Sequence, residues 1–246
     1  ALSSAASDVY KRQVLITTSN AHDISELQSL VESNRVDGML LTRALEDDRA
    51  LQYLSQANFP TALTGTCRYD NIIQVDTDNE GAAEKMTTLL IGKGFRRFAF
   101  LVKDMSYNVD RKRHEGFCRA LIKNGISEKD QLFYNGSIRM EFLDAIIENI
   151  ISKKVECIIC GDDEICTMVM SRLQAEGYRI PKDVAIASLY NSTNLDCYSP
   201  AVTAVSVAAS QMGGTAVRQL IQRLRGENYE KKTMLDYDIL FRKSTN

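Results

Sequence analysis

Few side chains in this sequence stand where a reaction would need them. Asp76 and Asp78 have the residue types of a metal pair, but they flank the end of an extended run and the start of a helical one. A carboxylate there accepts the free N–H groups of a first helical turn, so capping accounts for both. Cys157-Ile-Ile-Cys160 has the spacing of a thiol–disulfide pair. Such pairs open a helix, whereas these two lie in an apolar, strand-like run where an offset of three sends side chains to opposite faces. They read as small buried residues, as do Cys118 and Cys166. The two histidines, His22 and His114, belong to no Ser-His-Asp, HExxH, GxGxxG or GxxxxGK[ST] arrangement, and Gly92-Lys-Gly94-Phe lacks phosphate-loop spacing. No catalytic group, metal site or cofactor is expected.

What remains suits recognition. Asp162 and Asp163 follow the run Cys157 to Cys160, Tyr190 and Asn191 follow Val184 to Leu189, and Thr42 and Arg43 follow Val36 to Leu41. Each pair would sit at the carboxyl edge of a strand, where open α/β sheets hold ligands. Asp163 reads as the cap of the next helix, and a tyrosine at 190 offers an aromatic face for stacking. For Thr42 and Arg43 a plain surface role fits as well. Arg113 closes the basic run Arg111-Lys-Arg113, and Tyr107 and Asn108 precede it in a loop.

The elements that must carry these residues follow from periodicity. Val14 to Thr18 and Val36 to Leu41 read as strands around a helix from Ile24 to Ser33. Leu51 to Gln56 is helical, and Phe59 to Leu63 and Ile72 to Val75 are strands. Asp78 and Asn79 start a helix with Ala82, Met86, Leu89 and Leu90 on one face, ended by Gly92 and Gly94. Phe95 to Val102 then suits a strand buried on both faces. A second series follows: a helix from Arg111 to Lys123, a strand near Leu132, a helix from Glu141 to Ile151 and the strand Cys157 to Cys160. It continues with a helix from Asp163 to Glu176, the strand Val184 to Leu189, a helix from Ser206 to Arg225 and an extended run from Thr233 to Phe241. Alternation of this kind predicts two similar α/β lobes with parallel sheets and a cleft between them.

The 246 residues are 44% hydrophobic and 25% charged, enough for a large core in two lobes. A net charge of −2 offers no basic footprint for nucleic acid, and the apolar runs are too short to span a bilayer. Six cysteines without a leader-like start fit a reducing, cytoplasmic compartment. Ala1 to Gln13 is set apart as a tail, because Asp8-Val-Tyr-Lys-Arg-Gln13 resembles a translated transposon end of the kind used in sequencing libraries; an amphipathic helix is the alternative.

Short matches in a fixed order carry a family resemblance: Arg35-Val-Asp-Gly-Met-Leu-Leu41, Phe59-Pro60, Val75-Asp-Thr-Asp-Asn79 with Gly94-Phe-Arg-Arg97, and Arg113-His-Glu-Gly-Phe117. They continue with Gly177-Tyr-Arg-Ile-Pro-Lys-Asp-Val184, Ser199-Pro-Ala-Val-Thr203, Met212-Gly213 and Arg242-Lys-Ser-Thr245. Over Val14 to Asn246 the chain resembles the effector-binding core of LacI/GalR transcription regulators.

That resemblance implies the type I fold of periplasmic binding proteins, with residues 14–94 and 206–235 in a first lobe and 95–205 and 236–246 in a second. The chain would cross between lobes near Gly94, Val205 and Asp236, with Asp78 and Asn79 at the first crossing. It implies a small-molecule effector, a sugar or related small metabolite, held in the cleft by Arg113, whose planar fork can bond two adjacent sugar hydroxyls or a carboxylate. Asp162, where relatives carry Asn, would accept sugar hydroxyls. Ser188-Leu-Tyr-Asn191 departs from the family's acidic pair and leaves effector identity open. The family further implies a homodimer, operator DNA reached through a helix-turn-helix upstream of Val14, no membrane partner, and a first lobe lacking one inner strand. A periplasmic-type sugar-binding protein of a transporter is the rival reading.

Overall fold

The computed structural model describes residues 23–136 and 140–246. The tail Ala1 to Gln13, the expected strand Val14 to Thr18 and His22 lie outside the described residues. From residue 23 the chain runs α1 (Ser25–Glu32), β1 (Met39–Leu41), α2 (Arg49–Gln56), β2 (Thr61–Thr64), β3 (Ile73–Thr77) and α3 (Asn79–Gly92). It continues through β4 (Phe98–Val102), α4 (Asn108–Lys123), β5 (Leu132–Asn135), α5 (Met140–Ser152), β6 (Cys157–Cys160), α6 (Asp163–Ala175), β7 (Ala185–Ser188) and α7 (Thr193–Cys197). The last elements are β8 (Thr203–Val207), α8 (Ala209–Leu224), β9 (Lys232–Leu235) and β10 (Tyr237–Leu240).

These strands form two sheets. The first, β1-β2-β3-β9, is parallel throughout; the second, β10-β8-β7-β6-β4-β5, is parallel except that β10 runs antiparallel to β8. Every residue of β4, β6 and β7 is buried, which is why their sequences are continuous apolar runs rather than alternations. Cys157 joins the core layer of Phe98 and Phe100, while Cys160 joins that of Ala99 and Leu101 on the opposite face. Cys166 is likewise buried, but Cys118 is only half-buried.

Side-chain caps set the helix starts. Asp48 Oδ1 accepts Leu51 N–H at 2.9 Å, Asp78 Oδ1 accepts Gly81 N–H at 2.8 Å and Asp162 Oδ1 accepts Ile165 N–H at 2.9 Å. The cap of α6 is therefore Asp162 and not Asp163, which is the first helical residue. Helix α4 starts at Asn108, three residues before the expected Arg111.

Three further expectations are corrected. Ser206 and Val207 are strand residues of β8, paired with Asp238 and Tyr237, so the expected helix from Ser206 begins at Ala209. Val205 lies inside that strand, buried opposite Ile239, and the chain leaves the second sheet only at Ala208. The extended run at Thr233 to Phe241, by contrast, divides at Asp236 as the expected crossing requires, into β9, parallel to β3, and β10 in the other sheet.

The third correction concerns α3. Ala82, Ala83, Met86, Leu90 and Ile91 pack with Phe98, Phe100, Phe117 and Leu121, so the helix belongs to the core of the second sheet; Leu89, expected on the buried face, is exposed. An aromatic surface on β4 and α4 receives this helix, while α8 covers the first sheet through Ala216 and Leu220. Gly116 permits the contact, because a Cβ there would stand 2.1 Å from the backbone oxygen of Glu80. The passage between lobes therefore falls at Thr77–Asp78, and Gly94, with φ +107, is a turn inside the second lobe. Thr77 pairs with Leu235, and Tyr237 pairs with Val207. The three connectors at Asp78, Ala208 and Asp236 thus run side by side.

Candidate functional site

The carboxyl ends of both sets of parallel strands face a cavity of about 390 Å³. The first lobe contributes Thr42 and Arg43 after β1, Thr64 to Thr66 at the end of β2, and Asp76 and Thr77 at the end of β3. From the second lobe come Lys103 after β4, the first two turns of α4, the start of α6 and Tyr190 after β7. A wider hollow of about 740 Å³ lies around Lys93, Arg97, Lys154 and Asp183. It is an open surface where Arg97 pairs with Glu156 at 2.7 Å and Asp183 with Arg179, and it lies away from the carboxyl edges. The smaller cavity is the candidate site.

Arg113 is its central cation. Starting α4 at Asn108 brings Asp110 and Arg113, three apart, onto one helical face, and both are buried, 6% and 7% exposed. Arg113 Nη1 donates to Gly161 O at 2.7 Å. Burial pushes the guanidinium pKa down, and the charges of Asp110, Asp162 and Asp76 push it back up. Asp110 Oδ2 accepts the Asp104 N–H at 3.1 Å, and burial holds this carboxyl above the usual carboxylate range. Asp76 is held up by the same cause, although its Oδ1 accepts Thr77 N–H at 2.8 Å and Asn79 Nδ2 at 3.0 Å. The hydroxyl of Thr77 is buried and has no partner among the described residues.

Across the cleft the two lobes are clasped directly. Glu46 N–H donates to Ser106 O at 2.9 Å and Asn108 N–H to Ala44 O at 3.1 Å, forming an antiparallel bridge between Leu45 and Tyr107. Asn108 Nδ2 donates to Thr66 O at 3.0 Å, Lys112 Nζ to Thr66 Oγ1 at 2.6 Å, and Arg111 Nη1 to Glu46 Oε1 at 2.9 Å. The Arg43 guanidinium lies 5.4 Å from the Tyr107 ring centre. The cleft is closed in this structure.

Of the residues singled out in the sequence, Arg113, Asp162, Tyr190, Tyr107, Asn108, Thr42 and Arg43 all border the cavity. Asn191 does not: its Oδ1 accepts Arg242 Nη1 at 2.9 Å, which ties it to the C-terminal segment. Asp162 borders the cavity with both oxygens engaged, one in the cap and one on Lys103 Nζ at 3.1 Å. Asn79 reaches the wall, whereas Gly94, Val205 and Asp236 are absent from it. Sequence reasoning missed Asp110, Lys103 and Thr77, and read Asp76 only as a cap. Asp110 carried a usable signal, three residues before Arg113 on a helix; the others had none.

A family model described as periplasmic binding protein-like domain matches residues 87–245, well over half of the chain. The chain belongs to this family. Its relatives are regulators: it is 26% identical over 237 residues to the HTH-type transcriptional regulator CelR of Thermobifida fusca, covering 94% of this chain and 70% of that protein. Among solved structures it is similar to a putative LacI transcriptional regulator from Bacillus cereus subsp. cytotoxis NVH 391-98, at 29% identity and a TM-score of 0.81, over 89% of this chain and 79% of that one. A CelR–cellobiose complex aligns at 26% identity and a TM-score of 0.79, over 89% of this chain and 69% of that one. The LacI-type effector-binding core expected from the sequence is thus the fold and family of this chain. No helix among the described residues is long and apolar enough to cross a membrane.

Proposed function

We propose that this chain senses a sugar effector in the interlobe cleft and that closure of the lobes alters operator affinity in the complete regulator. The supporting observation is the buried Arg113 fork, presented to a cavity that residues of both lobes must close together. A ligand bridging Arg113 and Asp110 to the first lobe binds the closed form better than the open one, and only such a difference moves a conformational equilibrium. The three adjacent connectors let that closure occur as a hinge rotation.

In this reading a homodimer transmits the rotation, and a helix-turn-helix contacts operator DNA, as the HTH-type name of the CelR relative suggests. The regulators among its relatives favour sensing over transport.

Arg113→Ala is the test. A sugar bound at one hundred times its Kd stabilises a protein by about 2.7 kcal/mol. For a chain of this size that raises Tm by roughly 5–10 °C. The variant should fold and lose the rise in thermal-shift measurements over a sugar series that includes cellobiose. An undiminished rise would remove Arg113 from the site.

A further inference from the structure

Resting on that reading of the cleft, we infer that the site selects an uncharged polyhydroxy ligand and rejects its phosphorylated or carboxylated counterparts, with Asp76 and Asp110 setting the selectivity. The charges of the wall lead there. Lys103 is taken up by Asp162 at 3.1 Å and by Glu164. Arg43 lies against the Tyr107 ring. Arg113 is the buried cation, and three carboxylates, Asp76, Asp110 and Asp162, line the same wall.

The hydrogen-bonding demand points the same way. Asp76 and Asp110 are buried acceptors in the wall, while Asp162, half-buried beside them, has both oxygens engaged. Carboxylates accept and do not donate, so a ligand lying among them must bring O–H or N–H groups. Sugar hydroxyls do both: they donate to Asp76 and Asp110 and accept from Arg113 and from the unpartnered Thr77 hydroxyl. A phosphate or carboxylate only accepts, and it sets a like charge beside Asp76 and Asp110, both buried in the wall of the cavity. Like charges brought together in a desolvated site oppose binding strongly. Tyr107 and Tyr190 add ring faces suited to the C–H surface of a sugar.

The test compares neutral sugars with charged relatives on the full chain. Glucose, maltose and cellobiose are set at equal concentration against glucose 1-phosphate, glucose 6-phosphate and gluconate, by thermal shift and calorimetry. At least one neutral sugar should stabilise the protein, and its anionic counterpart should bind at least about tenfold more weakly. Asp110→Asn and Asp76→Asn keep the shape of the wall and remove its charge, and each should narrow that gap. An anionic sugar that stabilises more than its neutral parent would overturn the selectivity while leaving sensing intact. Silence from every sugar would overturn both. A gap unchanged in both variants would overturn the role given to Asp76 and Asp110.

Discussion

Gly116→Ala should destabilise the protein although it adds only one methyl group, at a residue that does not line the cavity. The new Cβ would meet Glu80 O at 2.1 Å and Ala83 Cβ at 3.0 Å, and real Cβ atoms essentially never approach within 3.0 Å. The atom in the way is backbone, so α3 and α4 must part by roughly 1 Å, loosening Ala83 and Met86 against Phe117. Overpacking of this kind costs about 1–3 kcal/mol, while the better helix propensity of alanine returns at most about 1 kcal/mol. A net loss of about 1–2 kcal/mol should lower Tm by about 2–8 °C and shift the urea midpoint without changing the m-value. Gly92→Ala is the matched control, since nothing lies within 4 Å of a Cβ there. It should leave stability unchanged or raise it by up to about 1 kcal/mol. Because α3 leads directly from the Thr77–Asp78 connector, Gly116→Ala should also blunt the thermal response to a bound sugar. A Gly116→Ala protein as stable as wild type would refute the backbone contact and, with it, the assignment of α3 to the second lobe.

Glu46→Ala removes the partly exposed pair with Arg111 that helps clasp the cleft. It should weaken ligand affinity about twofold, an effect calorimetry should lose in high salt. Asp162→Ala should cost about 1–2 kcal/mol in urea titration, because a helix cap and the Lys103 pair go together, whereas Asp162→Asn keeps the cap and most of the stability. Asp110→Asn should stabilise the ligand-free protein at neutral pH. Burial raises the Asp110 pKa in the folded state, so the folded form holds the proton longer and wild-type stability falls as pH rises above the unfolded value of about 4. The advantage of the variant in thermal melts should therefore be absent well below pH 4 and grow from there toward the folded-state pKa; a constant advantage would count against the cause.

Particular residues show how far local chemistry reaches. The apolar runs at Phe98 to Val102 and Cys157 to Cys160 announce strands covered on both faces, and both cysteines take the opposite faces that their offset requires. The Arg113-His-Glu-Gly-Phe117 motif marks a ligand arginine by resemblance, and the structure gives its glycine a reason in the approach of α3. Asn191 shows the limit. It sits at the carboxyl end of β7 beside Tyr190, yet Arg242, 51 residues away in sequence, takes its side chain.

The sequence alone placed the cap of α6 one residue late, at Asp163 rather than Asp162. From it came most of the strand and helix order, the cap at Asp78, and the carboxyl-edge position of the candidate site. All of these follow from periodicity and backbone hydrogen bonding within a few residues. Tertiary structure alone decided that α3 packs on the second sheet, that β8 runs on through Val207 before the chain crosses, and that Asp76, Thr77 and Asp110 line one cavity with Arg113. An amphipathic stripe states that a face is buried but not against what, and the charge environment of a buried group is set by partners that only folding brings near.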